Sequence, residues 1–130
     1  MNLMVCYDGS SAAKAALEVA KSRAKNFDAK IFLVTSMISG PQVPRDEFIK
    51  REKELEKIKR QLSKEAVACE TTLSVRGFET GEDLVIFARE NGIDEIVIGI
   101  TKLSKVGKFI FGSTAQYVIL EAPCPVLTVK

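Results

Sequence analysis

The sequence contains no histidine. That single absence removes Ser-His-Asp and Cys-His catalysis, HExxH metal sites and histidine phosphorelay. Catalysis, if any, is left to carboxylates, lysines or a bound metal. Cysteine is scarce as well: Cys6, Cys69 and Cys124 are odd in number and widely spaced. They fit neither a disulfide framework nor a zinc site, and Cys6 and Cys124 lie in apolar stretches suited to buried thiols. No apolar run approaches a membrane span. The apolar start Met1–Cys6 is interrupted by Asp8 before a signal-peptide core is complete, so the cytoplasm is the expected address. Charge of one sign is not in excess either. A formal net charge of +2 argues against nucleic acid or an anionic membrane as the main partner.

What is present suits one globular domain spanning residues 1–130. Hydrophobic content of 46% and charged content of 28% supply both a core and a solvated surface. The most informative stretch runs from Ile96 to Val118. Ile96, Val97 and Ile98 read as a buried strand stopping at Gly99. Gly112-Ser113-Thr114 reads as the capped start of a helix that continues through Ala115 to Leu120. Between them Lys102, Lys105 and Lys108 stand with no acidic residue. A glycine, a helix N-terminus with free N–H groups and three ammonium groups describe an anion site, phosphate above all. The same pattern also serves as an ordinary solvated connection in any open α/β sheet, so it needs corroboration.

The rest of the chain supplies it. Leu3–Tyr7 is a first strand ending at Asp8-Gly9-Ser10. An alanine-faced helix follows, with Ser10 or Ser11 as its N-cap. Asp8 is either an Asx turn that starts this helix or a carboxylate aimed at a ligand hydroxyl. Lys30–Met37 is a second strand, closed by a loop that Ser39, Gly40, Pro41 and Pro44 keep from being helical. A charged helix from Asp46 to about Val67 buries a stripe of Phe48, Leu55, Ile58 and Leu62. Thr71–Val75 is a third strand and Glu82–Glu90 a third helix, stopped by Asn91-Gly92. Ala122-Pro123-Cys124-Pro125 breaks the fourth helix, and Val126–Val129 is a fifth strand.

This β-α alternation predicts an open, doubly wound, Rossmann-like parallel sheet of five strands, with helices on both faces. In the common order 3-2-1-4-5 the chain reverses direction between strands one and four, and ligands bind beside that reversal. Asp8 and Gly99 would then meet in one crevice.

With these residues in hand, the chain resembles the universal stress protein family over its whole length. Val5-Cys6-Tyr7-Asp8-Gly9-Ser10 is similar to that family's first strand and turn, and Ala122-Pro123-Cys124-Pro125-Val126-Leu127 to its ending. The nucleotide-binding branch carries Gly-x2-Gly-x9-Gly-Ser/Thr. Gly99 matches the first glycine and Gly112-Ser113 the last pair, while Lys102 replaces the second glycine. The resemblance implies an adenine nucleotide, ATP or a relative. Asp8 would hold the ribose or adenine side within the Asp8-Gly9-Ser10 turn, and main chain around Thr35 and Ser36 would line the adenine. Backbone near Gly99, Gly112 and Ser113 would hold phosphates, with a hydroxyl of Ser113 or Thr114 adding a contact. Thr101, Lys102 and Lys108 complete the candidate set. Lys102 either obstructs close backbone approach or places an ammonium on a phosphate.

Three classes of function compete. The first is a regulatory module that binds nucleotide with little or no turnover. Asp8, Glu82 and Asp83 could hold a Mg²⁺, but no motif fixes a base or a water. The second is a nucleotide-free dimeric interaction protein with an unidentified protein partner. The third, an adenylyl- or phosphoryl-transferring enzyme, lacks its signatures: there is no HxGH, SGGxDS or P-loop. A receiver domain is disfavoured because Val75-Arg76-Gly77 stands where its phosphoacceptor would be. Val126–Val129, as an apolar edge strand, is the expected homodimer contact.

Overall fold

The computed structural model describes residues 1–38, 43–100 and 112–130. Five strands alternate with four helices: β1 (Asn2–Cys6), α1 (Ser11–Phe27), β2 (Lys30–Ser36), α2 (Arg45–Lys64), β3 (Cys69–Ser74), α3 (Thr80–Glu90), β4 (Glu95–Gly99), α4 (Ser113–Glu121) and β5 (Val126–Val129). All pairings are parallel and the spatial order is β3-β2-β1-β4-β5, so the doubly wound order is observed.

The central strands are apolar on both sides, as strands covered by helices on both faces must be. Their side chains divide by parity. Leu3, Val5, Ile31, Leu33 and Val97 join Ala13, Ala16, Leu17 and Ala20 of α1 with Leu55 and Leu62 of α2 in one core. Met4, Cys6, Phe32, Val34, Ile96 and Ile98 join Leu84, Val85, Phe87 and Ala88 of α3 with Ala115 and Val118 of α4 in the other. The alanine face of α1 allows that helix to sit close to the sheet. Gly99 is where this matters most, because a Cβ there would collide with the backbone carbonyl of Ala12.

Several boundaries differ from expectation. Strand three begins at Cys69 and ends at Ser74, leaving Val75 outside. Helix α3 begins two residues early, at Thr80, and Gly81 in its first turn packs directly against the Tyr117 side chain of α4. Helix α2 ends at Lys64, short of Val67, which is itself buried in the first core. Cys6 is buried, whereas Cys124 is only partly so. Among the described residues, no helix is long and apolar enough to cross a membrane.

Candidate functional site

At the carboxyl ends of β1, β2 and β4 lies a cleft of about 300 Å³. Its floor is a row of three laterally paired strand residues, Val34, Cys6 and Ile98. Thr80 and Leu84 of α3, Ala12 and Ala13 of α1, and residues 112–115 at the start of α4 form its walls. Of the residues singled out in the sequence, Asp8, Ser10, Ser36, Gly99, Gly112, Ser113 and Thr114 line this one space. The reversal of chain direction between β1 and β4 opens the sheet there, which is why strands so far apart in sequence share a crevice.

Each wall has a local cause. Asp8 Oδ1 accepts from the Ser10 N–H at 3.0 Å, and Gly9 takes φ +81°, so the turn is of the Asx type. Ser10, not Ser11, is the N-cap of α1, its hydroxyl accepting from Ala13 N–H at 3.1 Å. Arg51 of α2 fixes the same turn from the other face by donating to the Asp8 carbonyl at 2.7 Å.

The start of α4 departs from the expected side-chain cap. Gly112 is the N-cap, and no side chain of the described residues accepts from the first turn. The N–H groups of that turn have no intrahelical acceptor, and they face the cleft with the positive end of the helix dipole. Around Gly112 a Cβ would meet no described atom within 4 Å.

Two predicted residues do not line the cleft. Thr35 is buried and donates its hydroxyl to the Tyr7 carbonyl at 2.6 Å, bracing β2 against the end of β1. Gly9 lies beneath Arg51 and Glu54 of α2. Thr101, Lys102, Lys105 and Lys108 lie outside the described residues, as does the Ser39-Gly40-Pro41 part of the earlier loop.

Asp83 takes a role different from the expected one. It is 2% exposed, and its Oδ2 accepts from the Ser36 hydroxyl at 2.6 Å while Oδ1 accepts from Arg76 Nε at 2.8 Å. Arg76 reaches on to Glu90 at 2.6 Å. Burial works against the charge on Asp83. Hydrogen bonds from Ser36, Ser74 and Arg76 outweigh it and hold the carboxyl below its ordinary range. With Asp83 so engaged, Asp8, Glu82 and Asp83 form no metal cluster. Among the described residues no group of three or more potential ligands exists.

Reactivity is likewise low. Burial, with a smaller contribution from the Asp8 charge, pushes the Cys6 thiol up to about 12. Burial and the hydrogen bond to Glu54 push Tyr7 to about 12. Both stay protonated at neutral pH, so the cleft offers no thiolate or phenolate nucleophile. Among the described residues the cleft offers an apolar floor, hydroxyls, and N–H groups at one end.

Sequence reading overlooked Cys6, Val34, Ile98, Thr80, Leu84 and Ala115 as lining residues. In strands that are apolar throughout, alternation does not reveal which side chains face which helix layer. Only the spacing of Thr80 and Leu84, one helical turn apart, was a usable signal.

The sequence model described as the universal stress protein family matches residues 1–130. A universal stress protein of Thermus aquaticus is 32% identical over 138 residues, covering 98% of this chain and 97% of its own. Among solved structures, a universal stress protein from Archaeoglobus fulgidus superposes with a TM-score of 0.89 at 36% identity, covering 100% of this chain and 98% of its own. Another from Archaeoglobus fulgidus, determined in complex with dAMP, gives a TM-score of 0.82 at 31% identity with the same coverage.

Proposed function

The chain belongs to the universal stress protein family, and on that premise we propose that it is a small adenine-nucleotide binding protein of the stress response. Its ligand is ATP or a related adenine nucleotide, held with little or no hydrolysis. The observation that carries this reading is the cleft at the end of β1 and β4, where the first turn of α4, without a side-chain cap among the described residues, meets an apolar floor. Phosphate suits the N–H groups and the dipole, and a purine suits Val34, Cys6, Ile98 and Leu84. The dAMP bound by the Archaeoglobus relative is a ligand of this chemical type.

The engagement of the cleft's carboxylates supports binding without turnover. Asp8 is engaged by the Ser10 N–H, and Asp83 by Ser36 and Arg76. The protein acts by presenting a ligand-dependent surface to a partner protein. It does so as a homodimer paired through β5, whose Val126, Leu127 and Val129 are only partly covered at the edge of the sheet.

The test is to purify the protein without added nucleotide, denature it, and identify released small molecules by chromatography and mass. Titration calorimetry with ATP and AMP follows. Recovered or titratable adenine nucleotide supports the reading. An empty protein that ignores both ligands overturns it and favours a nucleotide-free interaction protein.

A further inference from the structure

Ser36 and the start of α4 both line the cleft. Ser36 closes β2, α4 follows β4, and β1 runs between those strands. The ends of β2 and β4 stand two strand spacings apart, about 10 Å. A nucleotide lying across the strand ends with its phosphate on the α4 N–H groups brings the far edge of its base toward Ser36, which lines the same cleft.

What Ser36 offers that edge is decided by Asp83. An ionised carboxylate only accepts hydrogen bonds, and a serine has one proton to give. The 2.6 Å bond from Ser36 Oγ to Asp83 Oδ2 commits that proton. Arg76, bonded to Asp83 Oδ1 and to Glu90, keeps the carboxylate charged and fixed at the ends of β2 and β3. Ser36 pairs laterally with Ser74, which places both serines beneath the same buried acid. The cleft therefore meets the lone pairs of Ser36 and not its O–H.

Resting on the nucleotide reading above, we propose that Ser36, positioned by Asp83, selects purines carrying an exocyclic amino group at the six position over those carrying an oxo group. An amino group donates to the Ser36 oxygen. An oxo group sets lone pair against lone pair, and a polar mismatch in a closed site discriminates more strongly than a missing contact. Asp83 is a positioning residue in this scheme, because it acts on the base only through the direction of one proton.

The experiment compares binding of AMP, IMP and purine riboside 5′-monophosphate, which has hydrogen at the six position, by calorimetry. The wild-type protein is expected to prefer AMP over IMP by about tenfold or more, with the unsubstituted purine between them. In Ser36→Ala the preference falls to within about threefold. In Asp83→Asn, whose amide donates to Ser36 Oγ and releases the serine proton toward the cleft, the ratio moves toward IMP. A merely structural role for Asp83 would weaken all three ligands together and leave the ratio intact.

Equal binding of AMP and IMP by the wild type overturns the proposal without touching the nucleotide reading, as does a ratio that survives Ser36→Ala. Failure of all three ligands to bind overturns both. Should Asp83→Asn not fold, the wild-type and Ser36→Ala ratios decide the matter by themselves.

Discussion

Gly99 lies so close to Ala12 that a single added carbon would overlap the Ala12 carbonyl. The last residue of β4 and the first turn of α1 are in backbone contact, and one side of the cleft is built on that contact. Gly99→Ala is expected to destabilise the domain by about 2–4 kcal/mol, since the obstructing atoms are main chain and cannot rotate away. Urea unfolding measures it. An unchanged midpoint would show that α1 slides at little cost.

Gly112 provides the contrast. Its backbone is extended, at φ −61° and ψ 153°, and no described atom would meet a Cβ there. Gly112→Val is expected to cost less than about 1 kcal/mol in stability. It should nonetheless weaken nucleotide binding by about tenfold or more, because the branched side chain occupies the approach to the α4 N–H groups. Calorimetry on the folded variant checks this. Full affinity would place the phosphate elsewhere.

Asp83 carries a pH signature. Its folded pKa lies below the ordinary 3.8, so the unfolded chain takes up the proton first as pH falls. The stabilisation from the Ser36–Asp83–Arg76 network is therefore complete above the ordinary value and fades as pH drops through the lower, folded one. Wild type minus Asp83→Asn should differ in stability by a constant amount at neutral pH. That difference should shrink below about pH 4. Denaturant unfolding at several pH values tests the sign, and a gap that widens in acid would contradict it.

The edge strand β5 supports a fourth test. Val126 and Leu127 pack against the chain's own cores, so charging either one perturbs the fold as well as any dimer. Thr128 is exposed on the same strand. Thr128→Lys is expected to give a folded monomer, since lysines on an edge oppose strand pairing. Sedimentation would read the mass directly, and an intact dimer would move the interface off β5.

Much of this architecture was legible in the residues. The β-α alternation, the alanine face of α1 and the helix-ending Asn91-Gly92 are local matters of propensity and period. Gly92 does take the left-handed conformation, and Asn91 does bond back to the Phe87 carbonyl. The strand order and the meeting of Asp8 with Gly99 were inferable because few topologies bury a sheet on both faces. The use of Asp83 was not inferable. An acidic residue in the first turn of a helix looks like any other favourable charge at that end.

The sequence by itself determined the elements, their winding and the positions in the chain where a ligand site would open. Those follow from backbone preferences and from the spacing of apolar residues, which act over a few positions. Tertiary structure alone decided that Thr35 braces Tyr7 while its neighbour Ser36 faces the cleft. It also decided that Ser36 surrenders its proton to an acid 47 residues away. Such facts depend on the register between β2, β3 and α3, and hydrogen bonds between distant residues leave no period in the sequence to read.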